Sequence, residues 1–120
     1  MTTIYEGTLN HLDIIRSNLR FKNKSILNDT ERIMKKILTE NRYIYGIYHN
    51  KTIISLISYA LVLEAQGKIE DAIIHLKEVI SIKTHKYGKL SQATLAYKVH
   101  LAQLLQSLGR SQEIALLFTK

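Results

Sequence analysis

"LEAQGKIEDAI", residues 63–73, and "LLQSLGRSQEIA", residues 104–115, decide the fold. Each runs from an apolar stretch to a glycine followed by a cation, and then into a new amphipathic stretch. Gly67-Lys68 and Gly109-Arg110 stand 42 residues apart. Glycine accepts positive φ at the lowest steric cost, so each pair reads as a tight bend between two antiparallel helices.

The flanking periodicity agrees. After Gly67, the apolar residues Ile69, Ala72, Ile73, Leu76, Val79 and Ile80 recur at three- and four-residue steps, as on one helix face. Glu70 and Asp71 fall in the first turn, where they oppose the helix dipole favourably. Before Gly67, Ile53, Leu56, Ala60 and Leu63 mark another helix; before Gly109, Leu95, Leu101, Ala102, Leu105 and Leu108 do the same. "SQEIALLFTK" starts a further helix, with Ile114, Leu117 and Phe118 on one side. Tyr45-Gly46 and Tyr87-Gly88 are also 42 residues apart, and each glycine is expected in the left-handed position just past a helix end. Carried back in this register, residues 28–46 align on residues 70–88, and a helix from about Ile4 to Phe21 carries Leu9, Leu12, Ile15 and Leu19. The expectation is an all-α chain: an α-solenoid of antiparallel helix pairs in one domain, 1–120. Its repeats span roughly residues 4–45, 50–87 and 91–119, with the last incomplete.

Composition sets the outer bounds. A chain of 120 residues that is 46% hydrophobic can fill one core. It has no cysteine, hence no disulfide and no thiolate metal site, and no proline to interrupt long helices. The apolar run "TIISLISYALVL", residues 52–63, is shorter than the ~20 residues a membrane span needs. The N-terminus lacks a basic region followed by an apolar run, so no secretory signal is read and the default is a soluble, cytoplasmic protein. Net charge is +7, and no acid lies between Glu78 and Glu113, where Lys83, Lys86, Lys89, Lys98 and Arg110 fall. Such a field favours acidic partners.

Paired helices with a glycine bend and small residues at fixed places resemble tetratricopeptide repeats. Leu56, Tyr59, Ala60, Ala72, Leu76 and Val79 occupy the family's packing positions, with Ala60 and Ala72 where helices cross closely. Ala102, Gly109 and Phe118 match in the last repeat, while Ile114 stands where a small residue is usual. The 42-residue period exceeds the usual 34 and looks like the longer kinesin-light-chain variety, although the His-Pro after Gly88 is missing. The resemblance implies a non-enzymatic adaptor that holds a peptide or partner helix on a concave face lined by the first helix of each pair. Repeats that clamp a C-terminal carboxylate need lysines, asparagines and an arginine at five places that here hold Ile15, Leu19, Ser58, Ala96 and His100, so that mode is rejected.

The expected partner-binding residues are Ile15, Leu19, Ile54, Ile57, Leu61, His100 and Gln103. Ile54, Ile57 and Leu61 form a second apolar stripe on a helix that already has a core stripe; it reads either as a groove for an amphipathic segment or as contact between neighbouring helices. The expected partner is an acidic or amphipathic protein or peptide, with no cofactor and no metal. Ile114, Leu117 and Phe118 are the candidates for self-association, because the last repeat has no polar covering helix: either the chain continues in nature or its end packs onto another copy or a partner. "RYIYGIYHNK", residues 42–51, interleaves tyrosines with cations as single-stranded nucleic-acid binders do. Its repetition at Tyr87 favours tyrosines that plug a seam instead. A regulator associated with nucleic acid or a signalling peptide, or a self-assembling dimerisation module, stands as the alternative. Asp71, His75 and Glu78 share a helix face and supply three metal ligands at most, so they read as an ion-pair face. The Lys83-Lys86-Lys89 run reads as a solvated face.

Overall fold

The computed structural model describes residues 23–119. Among them the chain is all-helical: α1 (Lys24–Tyr45), α2 (Asn50–Ala65), α3 (Ile69–Tyr87), α4 (Gln92–Ser107) and α5 (Ser111–Leu117). The expected helix over Ile4 to Phe21, with Ile15 and Leu19, lies outside the described residues. None of the described helices is long and apolar enough to cross a membrane.

Local chemistry starts the helices. The Asn23 side chain accepts from the Ile26 amide at 2.8 Å, His49 Nδ1 from Lys51 at 3.1 Å, and Ser91 Oγ from Thr94 at 3.1 Å. Each satisfies a donor that the first helical turn leaves unpaired. Glycine ends them. At the end of α2 the Lys68 amide donates to Leu63 O (2.9 Å) and the Gly67 amide to Glu64 O (2.9 Å). At the end of α4 the Arg110 amide donates to Leu105 O (2.9 Å) and the Gly109 amide to Gln106 O (3.0 Å). These are the two hydrogen bonds of a Schellman closure, repeated at a 42-residue offset, with φ of 82° at Gly67 and 74° at Gly109. Gly67 and Gly109 therefore occupy equivalent bends.

The second glycine pair repeats as well, in a different conformation from the expected one. Gly46 donates to Arg42 O and Gly88 to Thr84 O. Their φ values are 84° and 92°, but ψ is 170° and 155°, outside the left-handed helical basin. This is the mirror-image extended region, which is close to glycine-only, because the chain must leave the helix extended to reach the next cap.

Neighbouring helices run antiparallel, and each packs against the one before it and the one after it. Asn41, late in α1, donates to Ser55 Oγ early in α2 at 2.6 Å, while Gln66, just past α2, donates to Asn28 early in α1 at 2.9 Å. Lys86, late in α3, reaches Tyr48 O at 3.0 Å and Asn50 Oδ1 at 2.9 Å at the start of α2. The core is one cluster, with α2 at its centre: Ile53, Leu56, Ile57, Tyr59, Ala60, Leu61 and Leu63 are all buried. A helix apolar on nearly every side must be covered on nearly every side. Ala60 and Ala72 are fully enclosed, as their small size at a helix crossing leads one to expect. Ala102, the corresponding residue in α4, is only half-buried.

The glycine bends yield a graded expectation. A Cβ at Gly67 or Gly88 would meet no atom within 4 Å, so the cost of alanine there is conformational alone. Gly67→Ala should lower stability by about 1–2 kcal/mol. Gly88→Ala, with its extended ψ, should cost more, toward about 3 kcal/mol. Urea midpoints at unchanged slope read both, and equal stability of all three proteins contradicts the assignment.

Candidate partner-binding surface

The expected groove is largely closed. Ile57 is 5% exposed and Leu61 1%, both within the core. His100 is also buried, its Nε2 3.0 Å from Glu64 Oε2, which links α4 to α2. Ile54 and Gln103 remain exposed. The physical reason is the central place of α2: protein covers its second apolar stripe at Ile57 and Leu61 and leaves Ile54 open. Among the described contacts, the apolar stripe read from Ile54, Ile57 and Leu61 thus divides between one surface residue and two core residues. At the 42-residue offset, Val99 and Gln103 of α4 stand where α2 has Ile57 and Leu61, and both are exposed. The face that α2 buries is open in α4.

The C-terminal candidates also divide. Ile114 and Leu117 are half-buried and rest against the core. Phe118 is exposed, together with Leu116 at 70%. Periodicity placed Ile114, Leu117 and Phe118 together and passed over Leu116. The helix α5 is too short, at seven residues, to hold all of them on one side.

An apolar stripe on α1 escaped the sequence reading. Ile26, Ile33, Ile37 and Ile44 are all exposed. Their seven-, four- and seven-residue spacing keeps them within about 20° of one line along the helix. The spacing is present in the sequence, but the register that aligns residues 28–46 on 70–88 sets Ile37 at the place of Val79, which is buried in α3.

Asp71, His75 and Glu78 do not converge. His75 Nδ1 lies 2.8 Å from the Asp71 carbonyl oxygen and its ring meets Tyr59 edge-on at 4.9 Å, while the Glu78 carboxylate accepts from Arg42 of α1. Other carboxylates on the helices are similarly engaged. Glu31 takes the Lys68 ammonium at 2.8 Å, and this hydrogen bond holds its carboxyl below the ordinary range. Glu113 is held low by Arg110, and then by Lys77 at 3.6 Å; Arg110 also reaches Glu70.

The tyrosines gather where α1 and α3 end. Tyr45 stacks on His49 with centroids 4.5 Å apart, and Lys51 Nζ lies 4.8 Å from the Tyr45 ring centre and 3.2 Å from its hydroxyl. Tyr48 stacks on His85 at 4.3 Å, tying the α1–α2 connection to the end of α3. Lys83 sits half-buried with its ammonium 5.3 Å from the Tyr87 ring centre and 5.7 Å from that of Tyr97. Burial pushes the Lys83 pKa down, and neighbouring Lys86 adds to the effect. Burial likewise pushes the Tyr97 phenol up to about 12. The Lys83–Tyr87 approach was legible as a four-residue helical spacing. The Tyr97 side of it comes from a different helix.

Compared with known proteins, the chain matches no family model, no curated protein and no solved structure at a significant level.

Tyr97 supplies a pH expectation. Its folded pKa lies above the ordinary 10.0, so its contribution is complete below pH 10 and is lost as pH rises toward about 12. Tyr97→Phe should flatten the alkaline limb of the stability curve between those values. An unchanged limb in pH-dependent urea unfolding contradicts the burial of the phenol.

Proposed function

We propose that this chain is a tetratricopeptide-type repeat module, an α-solenoid of antiparallel helix pairs, and that it serves as a cytoplasmic, non-enzymatic adaptor for a protein or peptide. One observation carries the reading. The bends at Gly67 and Gly109 repeat the same two closing hydrogen bonds 42 residues apart, and those at Gly46 and Gly88 repeat theirs at the same offset. A chain of hairpins, each resting on its neighbours, holds long surfaces in fixed relation, which suits recognition of an extended segment. Among the described residues, recognition on the face formed by the first helix of each pair then falls to Ile54, Val99, Gln103 and Gln106, which reach solvent. Apolar burial there contributes roughly 25 cal/mol per Å², before the costs of ordering the segment.

Partner capture on the immobilised chain tests the placement. Ile54→Asp combined with Gln103→Asp should reduce capture about tenfold or more, since charge at two contact residues must be desolvated. Helicity and melting temperature should stay near those of the parent, because both side chains are exposed. Undiminished capture by the folded double variant places recognition elsewhere.

Exposed Leu116 and Phe118 support a second reading, self-association through the C-terminal helix. Light scattering across a concentration series should then show mass rising with concentration, and Phe118→Glu should hold the chain monomeric. A constant monomer mass in the parent protein refutes it.

A further inference from the structure

The end of the helices that carries the Gly46 and Gly88 bends also carries Arg42, Lys51, Lys83, Lys86 and Lys89. Its acids are Glu40 and Glu78, and Arg42 engages Glu78. The opposite end is balanced by pairs: Glu31 with Lys68, and Glu70 and Glu113 with Arg110. Paired charges largely cancel beyond a Debye length of about 8–10 Å, so the potential that a partner meets is set by the cations without carboxylates. Lys51, Lys83, Lys86 and Lys89, none paired with a carboxylate among the described residues, gather at the end of the Gly46 and Gly88 bends, while Lys24, Lys35 and Lys36 lie elsewhere along α1.

Lys83 is the focus of that end. Its ammonium rests near two tyrosine rings, and no carboxylate of the described residues pairs with it. Part of its hydration is already gone, so a carboxylate arriving there incurs less new desolvation than at a fully solvated lysine. Lys89, two residues past α3, is exposed and likewise unpaired. Beside it Leu90 is 76% exposed, and Ile47 is exposed on the neighbouring bend.

The tyrosine faces decide between kinds of anion. Stacking of nucleic-acid bases needs open ring faces. Tyr45 has a ring partner in His49 and Lys51, Tyr48 in His85, and Tyr87 in Lys83 and Lys86, so Tyr43, 92% exposed, is the one described tyrosine of this end without one, and stacking of successive bases needs several. Carboxylates and apolar side chains need no such faces; they need free ammonium groups and exposed apolar carbon, and both are present.

We infer that this end of the helices docks a protein segment that interleaves carboxylates with apolar side chains, the carboxylates meeting Lys83 and Lys89 and an apolar side chain resting on Leu90. It rests on the adaptor reading and deepens it, by naming the chemistry of the partner and a second contact surface at the helix ends.

The test uses three labelled probes: a peptide alternating Glu and Leu, an all-Glu peptide, and single-stranded oligothymidylate. Fluorescence anisotropy with the whole chain at low and physiological salt reads binding. The Glu–Leu peptide should bind best. Lys83→Gln with Lys89→Gln should weaken it about tenfold, and Leu90→Ser should weaken it while leaving the all-Glu peptide unchanged. Neither lysine donates a hydrogen bond in the fold, so circular dichroism should match the parent. Should the double variant lose helicity, Lys89→Gln alone carries the same expectation at about threefold. Tighter binding of oligothymidylate, equal binding by the folded lysine variant, or no peptide binding by the parent each overturn the inference. If Ile54→Asp with Gln103→Asp releases the peptide and the lysine variant holds it, the docking end is wrong and the adaptor reading stands.

Discussion

Among the described residues, the structure depends on four glycines that leave a helix with positive φ. At these points the chain turns back on itself within a few residues and still satisfies the last carbonyls of the helix it leaves. An L-residue with a side chain resists that conformation, whereas glycine adopts it readily. The surrounding space is open, so the requirement is one of backbone geometry alone. With the bends set, helix order follows: each helix returns along its predecessor and is covered by its successor.

That order makes α2 the centre and determines what is left for recognition. Leu56, Leu61 and Leu63 are enclosed because α2 has protein on nearly every side. At the corresponding places of α4, Lys98 and Leu105 are buried while Gln103 is exposed, because the helix that follows α4 is only the seven-residue α5. An apolar stripe is thus a core or a surface according to its place in the stack. Ile57 is buried and Val99, its counterpart 42 residues later, is exposed. The isoleucine stripe of α1 shows the same dependence: its spacing resembles that of the core residues of α3, and its exposure differs.

Electrostatics divides along the other direction, from one end of the helices to the other. Ion pairs such as Lys68–Glu31 and Arg110–Glu113 join residues brought together at the Gly67 and Gly109 bends. At the opposite end Arg42 engages Glu78, and the lysines meet tyrosine rings, a backbone carbonyl and an amide in place of carboxylates. A net charge of +7 describes the chain as a whole, whereas among the described residues ion pairs gather at one end and cations outnumber acids at the other.

Helix content, the bends and their 42-residue offset were determined by the sequence alone, because apolar periodicity and glycine positions act within a few residues of one another. The core residues Leu56, Ala60, Ala72, Leu76 and Leu101 were legible for the same reason. Burial of Ile57, Leu61 and His100, the parting of Leu117 from Phe118, and the seating of Lys83 against Tyr97 were decided only by tertiary structure. Each depends on which side of a helix another helix covers. That choice joins residues far apart in the chain, and no local spacing records it.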